Sequence, residues 1–218
     1  MKFKVKLESE SPIVLPIHYN HILKGFIFSN LIKEEIPFTF SNLFGLKRIN
    51  NKKIIFKNGC HFYVSTLKEE LNKELKETAL NLGKNVVRIS EITPVEEVVK
   101  EPPITVKTLS PVTVFIREEN GKTKYFSPSS EEFYRLIEEN INEKTKRFFN
   151  RELSFVKVKP SEGSIFKKAI IQYRNRFVVE AWKGIFEIEG EREAIEAALK
   201  LGLGYKNSQG FGMVALAQ

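Results

Sequence analysis

Two ferredoxin-like folds in tandem, an α+β architecture with a four-stranded antiparallel sheet and two helices in each half, follow from three features of the sequence. Apolar residues at period two and at helical spacing alternate in the order β-α-β-β-α-β over residues 1–100. The run Glu101-Pro102-Pro103 interrupts that order. A looser version of the same order then occupies residues 101–218, so the expected domains are 1–100 and 101–218.

Lys2 to Glu8 alternates charged and apolar residues as a half-buried strand does. Beyond Pro16, Tyr19 to Glu35 is periodic like a helix, with Leu23, Phe26, Ile27, Asn30 and Leu31 on one side and His21, Lys24 and Phe28 on the other. Phe38 to Phe44 reads as a strand, extended by Gly45 to Phe56 into a hairpin turning at Asn50-Asn51. His61 to Ser65 alternates again. Thr66 is the expected N-cap of a helix to Leu82, with Glu69 and Glu70 in its first turn and Gly83 as its stop. Val86 to Val99 supplies the last strand of this half.

In the second half, Thr105 to Ile116 is extended, and Ser129 or Ser130 caps a helix reaching Phe149. Phe155 to Lys159, Ile165 to Tyr173 and Arg176 to Ile188 read as strands or hairpin arms, with turns at Glu162-Gly163 and Arg174-Asn175. A helix from Glu191 to Leu201 and a strand from Met213 to Leu216 complete the order.

Lysine and arginine number 35 against 27 acids, a formal charge of +8, which suits a polyanionic partner. Every acid is a glutamate. Without aspartates the carboxylate clamps of two-metal nucleases are not expected, so no metal and no cofactor is anticipated and any phosphodiester chemistry should be metal-free. The single Cys60 excludes an internal disulfide and a cysteine-built zinc site. Apolar runs are too short to span a bilayer, and Lys2 to Lys6 alternates instead of forming a signal-peptide core; a cytoplasmic protein without membrane contact is expected.

Two groups of residues are candidates for binding. The first is Gly202-Leu203-Gly204-Tyr205-Lys206-Asn207-Ser208-Gln209-Gly210-Phe211-Gly212, between the last helix and the last strand. Gly202 is placed to stop the helix in a left-handed cap, and Gly204, Gly210 and Gly212 lack the Cβ atoms that would hold a nucleic-acid backbone away. Successive amides can form an anion nest, and Lys206 adds a charge beside Asn207 and Ser208. No Gly-Lys-Ser/Thr follows, so this is not a nucleotide loop; a tight connection is the competing reading. The second group is Lys157, Lys159, Lys167, Lys168, Arg174 and Arg176, interleaved with Phe166, Tyr173, Phe177 and Trp182. Cations for phosphates beside aromatic faces for bases are what an RNA-binding sheet needs, although strand alternation alone also sends cations outward and aromatics inward.

Three segments carry a resemblance: Leu15-Pro16-Ile17-His18-Tyr19-Asn20-His21, Phe38-Thr39-Phe40-Ser41-Asn42-Leu43 and the glycine-rich stretch. Together they resemble the CRISPR-associated endoribonucleases of the RAMP superfamily that process repeat RNA, and Thr108-Leu109-Ser110-Pro111 is similar to the start of that family's second domain. The resemblance implies tandem ferredoxin-like domains that bind CRISPR repeat RNA, or precursor guide RNA, and cut it without metal. The 2′-hydroxyl attacks the adjacent phosphate and leaves a cyclic phosphate and a 5′-hydroxyl, which calls for a base, an acid and cations or amides on the phosphate. Histidine, tyrosine and lysine commonly supply them in the family.

This chain departs from that pattern. The link Glu34-Glu35-Ile36-Pro37 holds no histidine, and Phe28 stands where relatives frequently have tyrosine. The remaining catalytic candidates are His21, with Lys24 one turn away, and then His18; an imidazole titrates near neutral pH and so suits proton transfer. His61 is read as a packed or edge residue. The alternatives are a family member that binds repeat RNA without cutting it, and a structural RNA-binding subunit of a CRISPR interference complex. A homodimer is compatible with either.

Overall fold

The computed structural model describes residues 1–32, 36–71, 78–99, 101–173 and 177–217. The first half contains β1 (Lys2–Glu8), β2 (Ile13–Pro16), α1 (Asn20–Asn30), β3 (Phe38–Phe40), β4 (Lys47–Asn50), β5 (Lys53–Phe56), β6 (Cys60–Thr66), β7 (Leu80–Leu82) and β8 (Asn85–Val95). Its main sheet runs β3-β6-β1-β8-β7, and β2-β5-β4 form a second, smaller sheet. Alternation in β1 buries Phe3, Val5 and Leu7 against Leu23, Phe26 and Ile27 of α1, and sends Lys4 and Lys6 to the other face opposite Tyr63 and His61 of β6.

The second half contains β9 (Ile104–Thr108), β10 (Phe115–Arg117), β11 (Thr123–Tyr125), α2 (Glu131–Phe149), β12 (Val156–Pro160), β13 (Lys167–Tyr173), β14 (Phe177–Lys183), β15 (Ile185–Gly190), α3 (Arg192–Leu201) and β16 (Val214–Leu216). The sheet β12-β15-β9-β16 buries Val106, Val158, Phe186, Ile188 and Val214 against α2 and α3 in a core separate from that of the first half. With helices between β9 and β12 and between β15 and β16, this is the split βαβ arrangement of a ferredoxin-like fold. Glu131 and Glu132 open α2 and Lys146 and Arg147 close it, matching its dipole, before Asn150 turns left-handed at φ 53°. Two hairpins, β10-β11 and β13-β14, stand apart from the sheet.

Several expected elements are corrected. Thr66 ends β6 and does not cap a helix, and Leu80–Leu82 is a strand paired with Leu82↔Asn85 to Leu80↔Val87 of β8. Residues 72–77 of the expected helix lie outside the described residues. Helix α1 stops at Asn30, and the hairpin of residues 47–56 turns at Asn51 and Lys52, both left-handed, to pair with β2 instead of prolonging β3. From Phe177 the expected run to Ile188 is two strands divided at Gly184, where a Cβ would lie 2.2 Å from the Phe166 ring. Gly202 has φ 82° with an extended ψ of 169°, so the α3 stop is not a left-handed cap.

Candidate nucleic-acid interface

The glycine-rich loop packs across the join between the halves. Its middle is a 3₁₀ turn, Asn207–Gln209, entered through Lys206 at φ 58°. Each of the four glycines presents its missing Cβ to the protein itself. A Cβ on Gly202 would meet the Gly212 carbonyl at 2.7 Å, and on Gly204 the Thr113 carbonyl at 2.5 Å. On Gly210 it would meet Phe40 at 2.6 Å, and on Gly212 the Leu203 carbonyl at 2.0 Å. The glycines therefore allow the loop to cross its own backbone and dock on β3.

Most loop amides are used internally. Leu203 N donates to Gly212 O (2.8 Å), Tyr205 N to Thr113 O (3.0 Å) and Gly212 N to Pro111 O (2.8 Å). Asn207 is a brace, since its Nδ2 donates to Leu203 O (3.2 Å) and Phe211 O (3.1 Å). Among the described residues the amides of Lys206, Asn207 and Ser208 have no backbone acceptor. From α2, Lys144 donates to Gly202 O (2.6 Å) and Gly204 O (3.1 Å), and burial pushes its ammonium down to about 7.

The other half holds the loop from below. Asn20 Nδ2 donates to Gln209 O (3.3 Å) and Gly210 O (3.2 Å), and Thr39 Oγ1 donates to Phe211 O (3.2 Å). Tyr19, the N-cap of α1, accepts from the Leu43 amide at 2.7 Å, and burial raises its hydroxyl to about 12. The residue after Asn20 is His21. It is half-buried, its Nδ1 is enclosed without a partner, and its ring meets that of Tyr173 edge-on at 6.1 Å. Tyr173 ends β13, so the hairpin reaches across to α1; the inner face of the hairpin rests on Phe211 of the loop through Val179 and Ala181.

The structure thus brings together His21, the glycine-rich loop and the β13-β14 hairpin. Lys24, half-buried, lies one turn beyond His21 on α1, and Phe28, 43% exposed, follows it. His18 stands by the β4-β5 turn, where burial and Lys52 push its imidazole down. His61 stacks on Phe44 at 5.5 Å; burial and Lys4 lower it too. Lys206 projects over Phe115 at 4.9 Å, next to Arg117, and partial burial and that guanidinium lower its ammonium.

The cations of the second group separate. Lys157 and Lys159 belong to β12, at the opposite edge of the sheet from β16, within reach of Glu138 (3.7 Å) and Glu187 (2.7 Å). Lys168 pairs with Glu180 at 2.8 Å. Lys167 lies opposite Lys183, and Arg174 and Arg176 lie outside the described residues. Of the interleaved aromatics, Trp182 and Phe166 belong to the core and Tyr173 is only 8% exposed; Phe177, at 65%, is the open face. Sequence reasoning singled out neither Tyr173 as the partner of His21 nor Lys144 as the clamp on the loop, because both relations join residues far apart in the chain.

Among the described residues no helix is long and apolar enough to cross a membrane. The family model for CRISPR associated protein Cas6, C-terminal, matches residues 93–216. Over 98% of this chain and 92% of the relative, the sequence is 26% identical to CRISPR-associated endoribonuclease Cas6 1 of Methanocaldococcus jannaschii. The fold is shared with a Cas6-related protein from Pyrococcus furiosus, at TM-score 0.84 and 19% identity over 100% of this chain and 98% of that one. It is also shared with a RAMP protein described as binding different RNA substrates, at TM-score 0.81 and 19% identity over the whole of both chains.

Proposed function

Since the chain belongs to the Cas6 family of CRISPR-associated proteins, we propose that it binds CRISPR repeat RNA where α1, the glycine-rich loop and the β13-β14 hairpin meet, and cuts it there without a metal. The observation that carries this reading is the approach of Tyr173 to His21 at 6.1 Å while Asn20, the preceding residue, holds Gly210. A base, a loop with open amides and a hairpin therefore meet at one place.

In the proposed reaction His21 takes the proton of a 2′-hydroxyl through Nε2, its Nδ1 being enclosed, and O2′ bonds to the adjacent phosphorus. The P–O5′ bond breaks and O5′ takes a proton, giving a cyclic phosphate and a 5′-hydroxyl. Lys24 and the amides of Lys206 to Ser208 offset the charge that grows on the phosphoryl oxygens. Phe28 has no proton to give at the position where tyrosine is frequent, so O5′ is protonated by water and turnover is slow. That same Phe28 favours a second reading, binding without scission.

Incubation of end-labelled repeat RNA with excess protein in EDTA separates the two. One EDTA-resistant cut is expected, blocked by a 2′-deoxy substitution upstream of it. His21→Ala should slow it about 10²-fold or more without changing affinity, the usual contribution of a general base. RNA left intact over hours establishes the binding-only reading. We further read residues 1–100 and 101–218 as two domains, which the separate cores support, and the protein as a cytoplasmic partner of precursor guide RNA. Association with interference-complex subunits or with a second copy would appear as a mass above that of the 25.2 kDa chain in light scattering.

A further inference from the structure

Between Ile36 and Thr66 the sequence holds five lysines and arginines, Lys47, Arg48, Lys52, Lys53 and Lys57, and no glutamate. Lys47 opens β4, and its ammonium reaches Leu43 O at 3.4 Å. From that point the second half is one contact away. Asn42 N donates to Leu109 O (3.1 Å), Thr108 N donates to Gly184 O (3.1 Å), and Gly184 N returns to Thr108 Oγ1 (3.2 Å). Lys183, beside Gly184, closes β14, and Lys167 sits directly opposite it on β13.

Three lysines are thereby gathered, two as cross-strand neighbours and one from the other half. Among the described residues no carboxylate lies within ion-pair distance of any of them. Partial burial and the charge of Lys47 push the Lys183 ammonium down. Three other strand lysines are matched, Lys6 to Glu8, Lys159 to Glu187 and Lys168 to Glu180. Like charges directly opposite on a sheet destabilise it, so the Lys167–Lys183 pair costs the fold, and Lys47 has in return only the Leu43 carbonyl and the Phe56 ring at 5.9 Å; an anion accounts for the cluster.

We propose that Lys47, Lys167 and Lys183 form a phosphate seat that bridges the two halves and holds the RNA backbone at a point separate from His21. The proposal rests on the RNA-binding reading above. The seat lies at the start of β13 and Tyr173 at its end, about 20 Å apart at the rise of a strand. An RNA strand running along the hairpin meets both, whereas a free phosphate meets one.

The test is fluorescence anisotropy across a salt series with labelled repeat RNA and with a uridine homopolymer of equal length, comparing wild type with Lys47→Gln/Lys183→Gln. Loss of two phosphate contacts makes the slope of log K against log salt shallower by about 1.4, and lowers affinity about 25-fold near 0.1 M salt. The RNA-free double variant melts no lower than wild type, and Lys47→Glu, facing Lys183, raises the melting temperature while weakening RNA binding. An unchanged slope in the double variant overturns the seat and leaves the RNA-binding reading intact. Parallel loss of affinity and melting temperature in both variants assigns the lysines to the fold and overturns it too. Failure of wild type to bind either RNA removes the RNA-binding reading and the seat with it. Full competition by millimolar inorganic phosphate at these lysines would replace the RNA seat with a free-anion site.

Discussion

Replacing Gly212 by alanine should be among the most destabilising one-carbon changes in the molecule. Gly212 has φ 75°, a region costing an L-residue about 1–2 kcal/mol. The new methyl would also lie 2.0 Å from Leu203 O and 2.6 Å from Asn207 Nδ2. Leu203 cannot retreat freely, because its amide donates to Gly212 O and its carbonyl accepts from Asn207. Breaking those two bonds costs about 1 kcal/mol each, and residual overpacking about 1–3 kcal/mol. The expected loss is about 4–7 kcal/mol, a large share of a typical domain's stability of about 5–15 kcal/mol. Gly163→Ala is the control: its φ is 70° but its Cβ would meet nothing within 4 Å, so it should cost only the backbone strain of about 1–2 kcal/mol. Urea unfolding followed by the fluorescence of the single Trp182 compares the two. A Gly212→Ala variant within about 1 kcal/mol of Gly163→Ala would refute the claim that this glycine is required by crossing backbone.

Lys144 makes stability depend on pH. Because burial favours its neutral form in the folded chain alone, the unfolded chain holds more protons between about pH 7 and the ordinary lysine value of 10.5, and stability rises with pH across that window by up to about 5 kcal/mol. Lys144→Met should lack that rise in denaturation curves taken from pH 7 to 10; identical pH slopes would show that the ammonium is not buried. Asn20→Ala leaves the Gln209 and Gly210 carbonyls without their donor and should cost about 1–3 kcal/mol in urea unfolding. Lys206→Gly relieves a left-handed lysine while removing a cation, so melting temperature should rise and RNA affinity fall. A fall in both would assign Lys206 to packing.

What was legible in the sequence was the local part of the structure. The alternation of Lys2 to Glu8, the apolar stripe of α1 and the run of α2 each record one segment's own periodicity; β1 and α2 appear at nearly the expected bounds, whereas α1 ends at Asn30. Thr66 was misread as an N-cap because a capping pattern also fits the end of a strand, and only the pairing of β6 with β1 and β3 distinguishes them. The glycines were noticed for a conformational reason that the backbone bears out, and the space their missing Cβ atoms leave is taken by Thr113, Phe40 and Leu203 of the same chain. The aromatics of the hairpins were divided between core and surface by packing against Phe133 and Phe186, which no spacing rule encodes. His21 stood out by helical face alone, whereas Tyr173, more than 150 residues later, could be paired with it only by folding.

If RNA sits at the site proposed above, the docking of residues 202–212 on both halves also fixes when in its own synthesis the protein can first hold it. Asn20, Thr39, Thr113 and Lys144, which grip the loop, all precede it in the chain. Both cores can therefore start to form on the ribosome while the loop that joins them is still missing. The nascent chain emerges as two basic halves, and they are pinned together by the loop only when the segment from Gly202 onward has cleared the exit tunnel.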